Sequence, residues 1–197
     1  MSDAMNGRNR LEGGLVNRSA ELSFRFDGKS LEGYGGDTLA SALLANGVRL
    51  MGRSFKYHRP RGVLSAGAEE PNAIVALREG AFTEPNTRAT TAELFDGLVA
   101  RSQNRWPSLA FDAMAVNDIM SDFLTAGFYY KTFMWPAKFW EKIYEPIIRH
   151  AAGLGALSGM SDPDCYDKGF LHCDLLIIGA GPAGLAAALT AGRSGTR

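Results

Sequence analysis

Three glycines near the end of this 197-residue chain carry its clearest chemical signal. Gly179, Gly181 and Gly184 fall in the spacing G-x-G-x-x-G, with Ala180, Pro182 and Ala183 between them. In a strand–turn–helix each glycine has a job: the first makes the tight turn, the second lets backbone approach a pyrophosphate, and the third lets the helix pack on the strand. The free N–H groups and positive dipole end of the following helix complete an anion site. The alternative is a merely structural glycine-rich turn. The flanks favour the dinucleotide reading, because Leu175 to Ile178 is a short apolar run and Leu185 to Ala191 is rich in helix formers. NAD and FAD use the same first turn, so residues 179–184 leave the choice between them open.

A complete βαβ unit takes about 30 residues or more, whereas only 24 run from Asp174 to Arg197. The acidic residue that meets the ribose is expected about 20 residues beyond the glycines. We therefore expect the front part of a longer protein, cut after the first helix of its nucleotide domain.

Other reactive types are sparse. Cys165 and Cys173 match no common metal spacing and read as ordinary thiols suited to a reducing cytoplasm. The segment Arg53 to Asn72 carries Lys56, His58, Arg59 and Arg61, followed by Glu69 and Glu70. This basic knot could steer an anionic cofactor or substrate. Basic and acidic residues balance within the loop, which favours an internal ion-pair network. His58 reads as a hydrogen-bonding loop residue, since no second ligand lies at metal spacing. Neither a catalytic residue nor a metal site is assigned.

The elements that position these groups follow from pattern. Leu22 to Phe26 alternates like a half-buried strand, Asp27-Gly28 is a hairpin turn, and Lys29 to Tyr34 returns. Asp37 or Thr38 caps a helix whose apolar face is Leu39, Ala42, Leu43 and Ala45, and Gly47 ends it. Hairpin, helix, long loop and then a strand over Ala73 to Leu77 is the order of a ferredoxin-type β-grasp domain. Arg88 to Phe95 is strand-like, and Asp96-Gly97 turns it into Leu98 to Ser102. Plant-type ferredoxins hold three closely spaced cysteines after this helix. Arg53 to Asn72 has none, so we expect no iron–sulfur cluster.

Residues 108–150 are crowded with aromatics, including Phe111, Phe123, Phe128, Tyr129, Tyr130, Phe133, Trp135, Phe139, Trp140 and Tyr144. Phe139/Ile143 and Trp140/Tyr144 are i,i+4 pairs on a helix entered at Pro136. The band could stack on a flavin or a partner; inter-domain packing is the plainer reading. Pro146 kinks or restarts the helix and Gly153-Leu-Gly155 ends it.

The expected organisation is a mobile leader (1–20), a cysteine-free ferredoxin-like β-grasp domain (21–107), an aromatic-rich connector and linker (108–173), and the truncated start of a Rossmann-type dinucleotide-binding domain (174–197). In fold class this is α/β, with an α+β N-terminal part. Lys and Arg total 21 and so do Asp and Glu, which argues against a nucleic-acid or anionic-membrane partner. The longest apolar stretch, Leu175 to Ala191, is broken by three glycines and a proline and falls short of a membrane span.

Several stretches together resemble the α subunits of heterotetrameric sarcosine oxidases. They are Gly36 to Gly47, Gly52 to Gly62, Glu84 to Thr91, Ser102 to Ser108, Ala126 to Pro136 and the glycine motif. The resemblance covers nearly everything from about residue 20 onward. It implies NAD at Gly179, Ala180, Gly181, Pro182, Ala183 and Gly184, and a folate region beyond Arg197. It also implies a β subunit with FAD, an FMN near the α/β interface, and γ and δ subunits. The implied reaction is oxidative demethylation of sarcosine to glycine, with oxygen giving peroxide and tetrahydrofolate taking the one-carbon unit. Related opine or amino-acid dehydrogenase α subunits share the layout and stand as the alternative. A non-catalytic docking fragment is the reading from a different class.

Overall fold

Alternation of apolar and polar residues from Leu22 to Phe26 produces the first strand of a mixed sheet. The computed structural model describes residues 9–122, 127 and 135–196. Strand β1 (Asn17–Phe26) pairs antiparallel with β2 (Lys29–Gly35) through a two-residue turn. Asp27 and Gly28 both take positive φ (47° and 80°), as a hairpin matching the strand twist requires. The Asp27 carboxylate accepts from the Ser102 backbone N–H (2.9 Å) and hydroxyl (2.6 Å), tying the turn to a distant strand.

Helix α1 (Leu39–Ala45) is capped by Thr38, whose hydroxyl accepts from Ser41 N–H while the Ser41 side chain accepts from Thr38 N–H. Asn46 is its C-cap, and Gly47 follows at φ +76°. Leu39, Ala42 and Leu43 are fully buried against the sheet. After it come the short pair β3 (Gly52–Arg53) and β4 (Pro60–Arg61), then β5 (Ile74–Leu77), β6 (Glu84–Arg88) and β7 (Leu98–Ser102). The five-stranded sheet runs β2-β1-β7-β5-β6, with β1 and β7 parallel at its centre. Phe24, Val75, Leu98 and Ala100 form its core with the helix.

Two strand assignments are corrected. The strand expected over Arg88 to Phe95 stops at Arg88. Instead, Ala89 and Ala92 carbonyls accept the Ala40 and Leu39 N–H groups (both 2.8 Å), satisfying donors that the first helical turn leaves open. Consequently β7 pairs with β1 and β5 and forms no hairpin with the preceding residues.

Beyond the sheet, Val116–Ile119 forms one helical turn (α2), and Glu145–Ala151 is α3. Between Pro136 and α3 lie a 3-10 turn (Ala137–Phe139) and a π turn (Trp140–Tyr144). Pro146 has no N–H to give an α-type ladder, and the wider turn lies just ahead of it. That widening brings Phe139 edge-on to Tyr144 (6.5 Å), an i,i+5 pair where α-helical spacing predicts i,i+4 pairs. Trp135 is 85% exposed; Phe123, Phe128, Tyr129, Tyr130 and Phe133 lie outside the described residues.

Residues 163–197 form a separate compact unit. Its one regular element is α4 (Pro182–Arg193). Here the Rossmann expectation is corrected: Leu175 to Ile178 is not a strand, and Leu175, Leu176 and Ile178 are exposed. A strand exists only through pairing, and among the described residues of this unit no neighbouring strand supplies the ladder. Among the described residues no helix is long and apolar enough to cross a membrane.

Candidate functional site

The chemistry-bearing residues of the first unit gather where the β3–β4 pair meets the segment after β7. Arg53 is the hub. Its guanidinium donates through Nε to the Leu109 carbonyl (3.1 Å), through Nη1 to the His58 carbonyl (3.0 Å), and through Nη2 again to Leu109. In return, Asn104 Nδ2 donates to the carbonyls of Arg53 (3.0 Å) and Ser54 (2.8 Å). Two segments 50 residues apart are thereby clamped by one arginine and one asparagine.

His58 sits at the turn of this pair with φ +54° and is 2% exposed. Its Nδ1–H donates to Asp112 Oδ2 at 2.7 Å, while Asp112 Oδ1 accepts from the backbone N–H groups of Trp106 (3.1 Å) and Met114 (3.0 Å). The pairing orients the imidazole and fixes its tautomer. His58 is thus a hydrogen-bonding loop residue, consistent with its reading from sequence.

The ion-pair network expected within Arg53 to Asn72 is not what holds the loop. Arg59 pairs with Asp118 outside it (2.7 Å), and Arg59 and Lys56 both lie over the Tyr57 ring (4.8 and 4.9 Å). Glu70, fully buried, accepts four backbone N–H bonds: Leu64 (2.7 Å), Ser65 (2.7 Å), Asn72 (2.7 Å) and Ala73 (3.1 Å). Burial by itself pushes its pKa up, but these four donors outweigh it and hold the carboxyl below the usual glutamate value. One carboxylate organises the loop.

Two cavities flank Asn104. One of about 180 Å³ is lined by Arg53, Arg61, Asn72, Phe55, Gln103 and Asn104. The other, about 450 Å³, is lined by His58, Asn104, Arg105, Trp106, Met114 and Leu154. Gly153 borders both, and the segment behind it docks by hydrogen bonds: Gln103 Nε2 donates to the Gly153 carbonyl (3.5 Å), and Gly155 N–H donates to Asn86 Oδ1 (3.0 Å). Gly153 and Gly155 thus do more than end a helix. A Cβ at Gly153 would lie 2.0 Å from Asn104 Oδ1, at a φ of +65°. Gly153→Ala is expected to cost about 2 kcal/mol from combined strain and overlap. Urea denaturation measures it, and faster hydrogen exchange confined to residues 152–155 locates it.

The six glycine-motif residues lie in the second unit, in one turn. Gly179 has φ +104°, Gly181 is the extended N-cap of α4, and Pro182 is its first residue. A Cβ on Gly184 would meet the Gly179 carbonyl at 2.0 Å, whereas one on Gly181 would meet nothing within 4 Å. The turn closes through Leu185 N–H to the Gly181 carbonyl (2.9 Å). Ala180 and Ala183 complete it, and the space beside Gly181 is open.

Sequence reasoning missed Asp112 as the partner of His58, Asn104 as the clamp, and Glu70 as the loop's organiser. None had a local signal: the first pairing spans 54 residues. Cys165 and Cys173 are exposed thiols, and no group of three or more potential metal ligands occurs among the described residues.

Residues 19–105 match the family described as 2Fe-2S iron-sulfur cluster binding domain. That match stands against the expectation of no iron–sulfur cluster and is the correction to it, since the matching family is one of cluster-binding domains. Residues 19–105 nevertheless contain no cysteine, so the side chains present do not fit thiolate ligation of the kind such clusters use. The chain is 69% identical over 184 residues to the sarcosine oxidase subunit alpha of Rhizobium meliloti (strain 1021), covering 93% of this chain and 19% of the relative. Against the sarcosine oxidase subunit alpha of Corynebacterium sp. (strain U-96) identity is 36% over 188 residues, covering 94% of this chain and 14% of the relative. Among solved structures, L-proline dehydrogenase from P. horikoshii overlaps 43% of this chain and 16% of its own at 27% identity, with a TM-score of 0.34. So partial an overlap supports no further argument. The chain spans about a fifth or less of the curated relatives it matches.

Proposed function

We propose that this chain, homologous to the N-terminal portion of sarcosine oxidase subunit alpha, serves as that portion of an oxidoreductase acting on sarcosine. The carrying observation is 69% identity over 184 residues, which is 93% of this chain. In this reading the assembly demethylates sarcosine to glycine. Two electrons pass to oxygen to give peroxide, and tetrahydrofolate takes the one-carbon unit.

This chain's own residues contribute scaffolding and contact. The sheet and α1 provide a rigid base, Arg53 and Asn104 hold the loop after α1 in place, and exposed Trp135 and Phe139 offer a face to partner subunits of the β, γ and δ type. The turn Gly179 to Gly184 contributes dinucleotide-phosphate contacts in the longer subunit, with Gly181 as the point of close backbone approach. A cytoplasmic setting fits two free thiols and no disulfide framework.

The test is a chimera. The 184 matching residues of the Rhizobium meliloti subunit are replaced by those of this chain, the complex is expressed, and sarcosine-dependent oxygen uptake is measured. Retention of most of the parental rate, with normal assembly, is expected. An assembled chimera that oxidises another secondary amine and leaves sarcosine untouched would sink the assignment.

A further inference from the structure

We propose that the cavity lined by Arg53, Arg61 and Asn72 is a binding site for a small oxyanion group, a carboxylate or phosphate carried by a small molecule. The inference is independent of the reading as a sarcosine oxidase segment and goes beyond it, because it rests on charge and geometry alone.

Arg53 and Arg61 line one cavity, and among the described residues neither forms an ion pair with a carboxylate. Other arginines of this unit do form ion pairs, among them Arg10 with Asp37, Arg59 with Asp118, Arg78 with Glu84 and Arg105 with Asp27. Two positive charges lining the same cavity raise its potential and favour an anion there. Arg53 is held in place, since three of its N–H groups donate to backbone carbonyls. A guanidinium has five N–H donors, so two remain, in fixed directions. Such a preorganised fork suits an oxyanion and loses little entropy on binding it.

One acid is tied to the cavity lining: Glu70, whose carboxylate accepts the Asn72 N–H (2.7 Å). Its oxygens are taken up by four backbone donors, so it braces the loop and leaves both arginines unneutralised. Cavity size sets the ligand class. At about 180 Å³ the space far exceeds a single water, roughly 30 Å³. It is smaller than the ~300 Å³ at which pockets for drug-sized ligands begin. A headgroup fits; a whole dinucleotide does not. Arg61 is placed by the β3–β4 pair, with its carbonyl accepting from Met51 N–H (2.9 Å), so the site depends on a two-residue strand remaining in register.

The experiment titrates the ¹⁵N-labelled full chain with sodium phosphate and, separately, with sodium acetate, at ionic strength held constant with chloride. Saturable shifts of the Arg53, Ser54 and Asn72 amides are expected with at least one anion. Saturation by phosphate alone identifies the phosphate source, and by acetate alone the carboxylate source. Arg61→Ala is expected to weaken binding by about tenfold or more, and Arg61→Lys by less. Arg101→Ala, on β7 beside Glu79 (4.0 Å) and not among the residues lining the cavity, is the control. Should Arg61→Ala lose its dispersed spectrum, Asn72→Ala takes its place with the same expected direction. Absence of saturable shifts with both anions, or equal weakening in Arg101→Ala, overturns the proposal.

Discussion

Glu70→Gln is expected to lower the stability of this chain by about 4 kcal/mol, the largest effect of any single-atom change in the domain. The carboxylate presents two oxygens, each to two backbone donors. An amide keeps one oxygen and turns an NH₂ group toward the other pair, leaving two N–H groups, partly or fully buried, unpaired and opposed by like dipoles. Each orphaned donor costs about 1–3 kcal/mol. For a chain of this size the loss corresponds to a fall in Tm of about 10 °C. The pH dependence supplies a second signature. Glu70 is held below its ordinary value of 4.5, so the folded state binds its proton less readily than the unfolded state does. Its contribution is present above 4.5 and is lost as pH falls through the folded value. Denaturation of wild type and Glu70→Gln should therefore differ most near neutrality and converge in acid. A loss below about 1 kcal/mol at pH 7 would mean that the loop is held by its apolar contacts.

Asp37→Asn is expected to cost about 3 kcal/mol and to release the segment before β1. Asp37 is 1% exposed and gathers three elements at the start of α1. It accepts from Arg10 Nη1 (3.0 Å) and Nη2 (2.5 Å), from the Ser41 hydroxyl (2.7 Å) and from Tyr34 N–H (2.9 Å). Arg10 also lies over the Tyr34 ring, 5.1 Å from its centre. Burial raises the Asp37 pKa, and the bonds from Arg10, Ser41 and Tyr34 bring it below the ordinary 3.8. Its stabilisation is thus complete above 3.8 and disappears as pH falls through the lower, folded value. With asparagine the guanidinium stays buried without its counter-charge, which is the costly half of breaking such a pair. Limited proteolysis should cut Asp37→Asn between residues 9 and 16 much faster than wild type, at pH 7. Equal cutting rates would show that the Arg10 tether carries no stability.

Much of the local structure was legible in the residues. Asp27-Gly28 specifies a turn with two positive φ angles, Thr38 and Ser41 specify a capped helix start, and alternation from Leu22 specifies which face of β1 is buried. These signals depend on neighbours in the chain, and the same steric and hydrogen-bonding rules act in any context. Glycine spacing at 179–184 likewise specifies a turn ahead of a helix, and α4 begins at Pro182.

What the tertiary structure decided involves partners far apart in sequence. A run such as Leu175 to Ile178 has the composition of a strand, but a strand takes its hydrogen bonds from a neighbour, and composition cannot provide one. The carbonyls of Ala89 and Ala92 look free to join a ladder until the N-terminus of α1 claims them. Glu70 reads as one member of a charge-balanced loop, yet its carboxylate goes to backbone donors, which have no letter in the sequence. His58 and Asp112 meet across 54 residues, and Arg53 and Arg61 come to line one cavity only in the folded chain. Local propensity sets which elements form; the satisfaction of buried polar groups, settled only in three dimensions, sets which residues can meet a ligand.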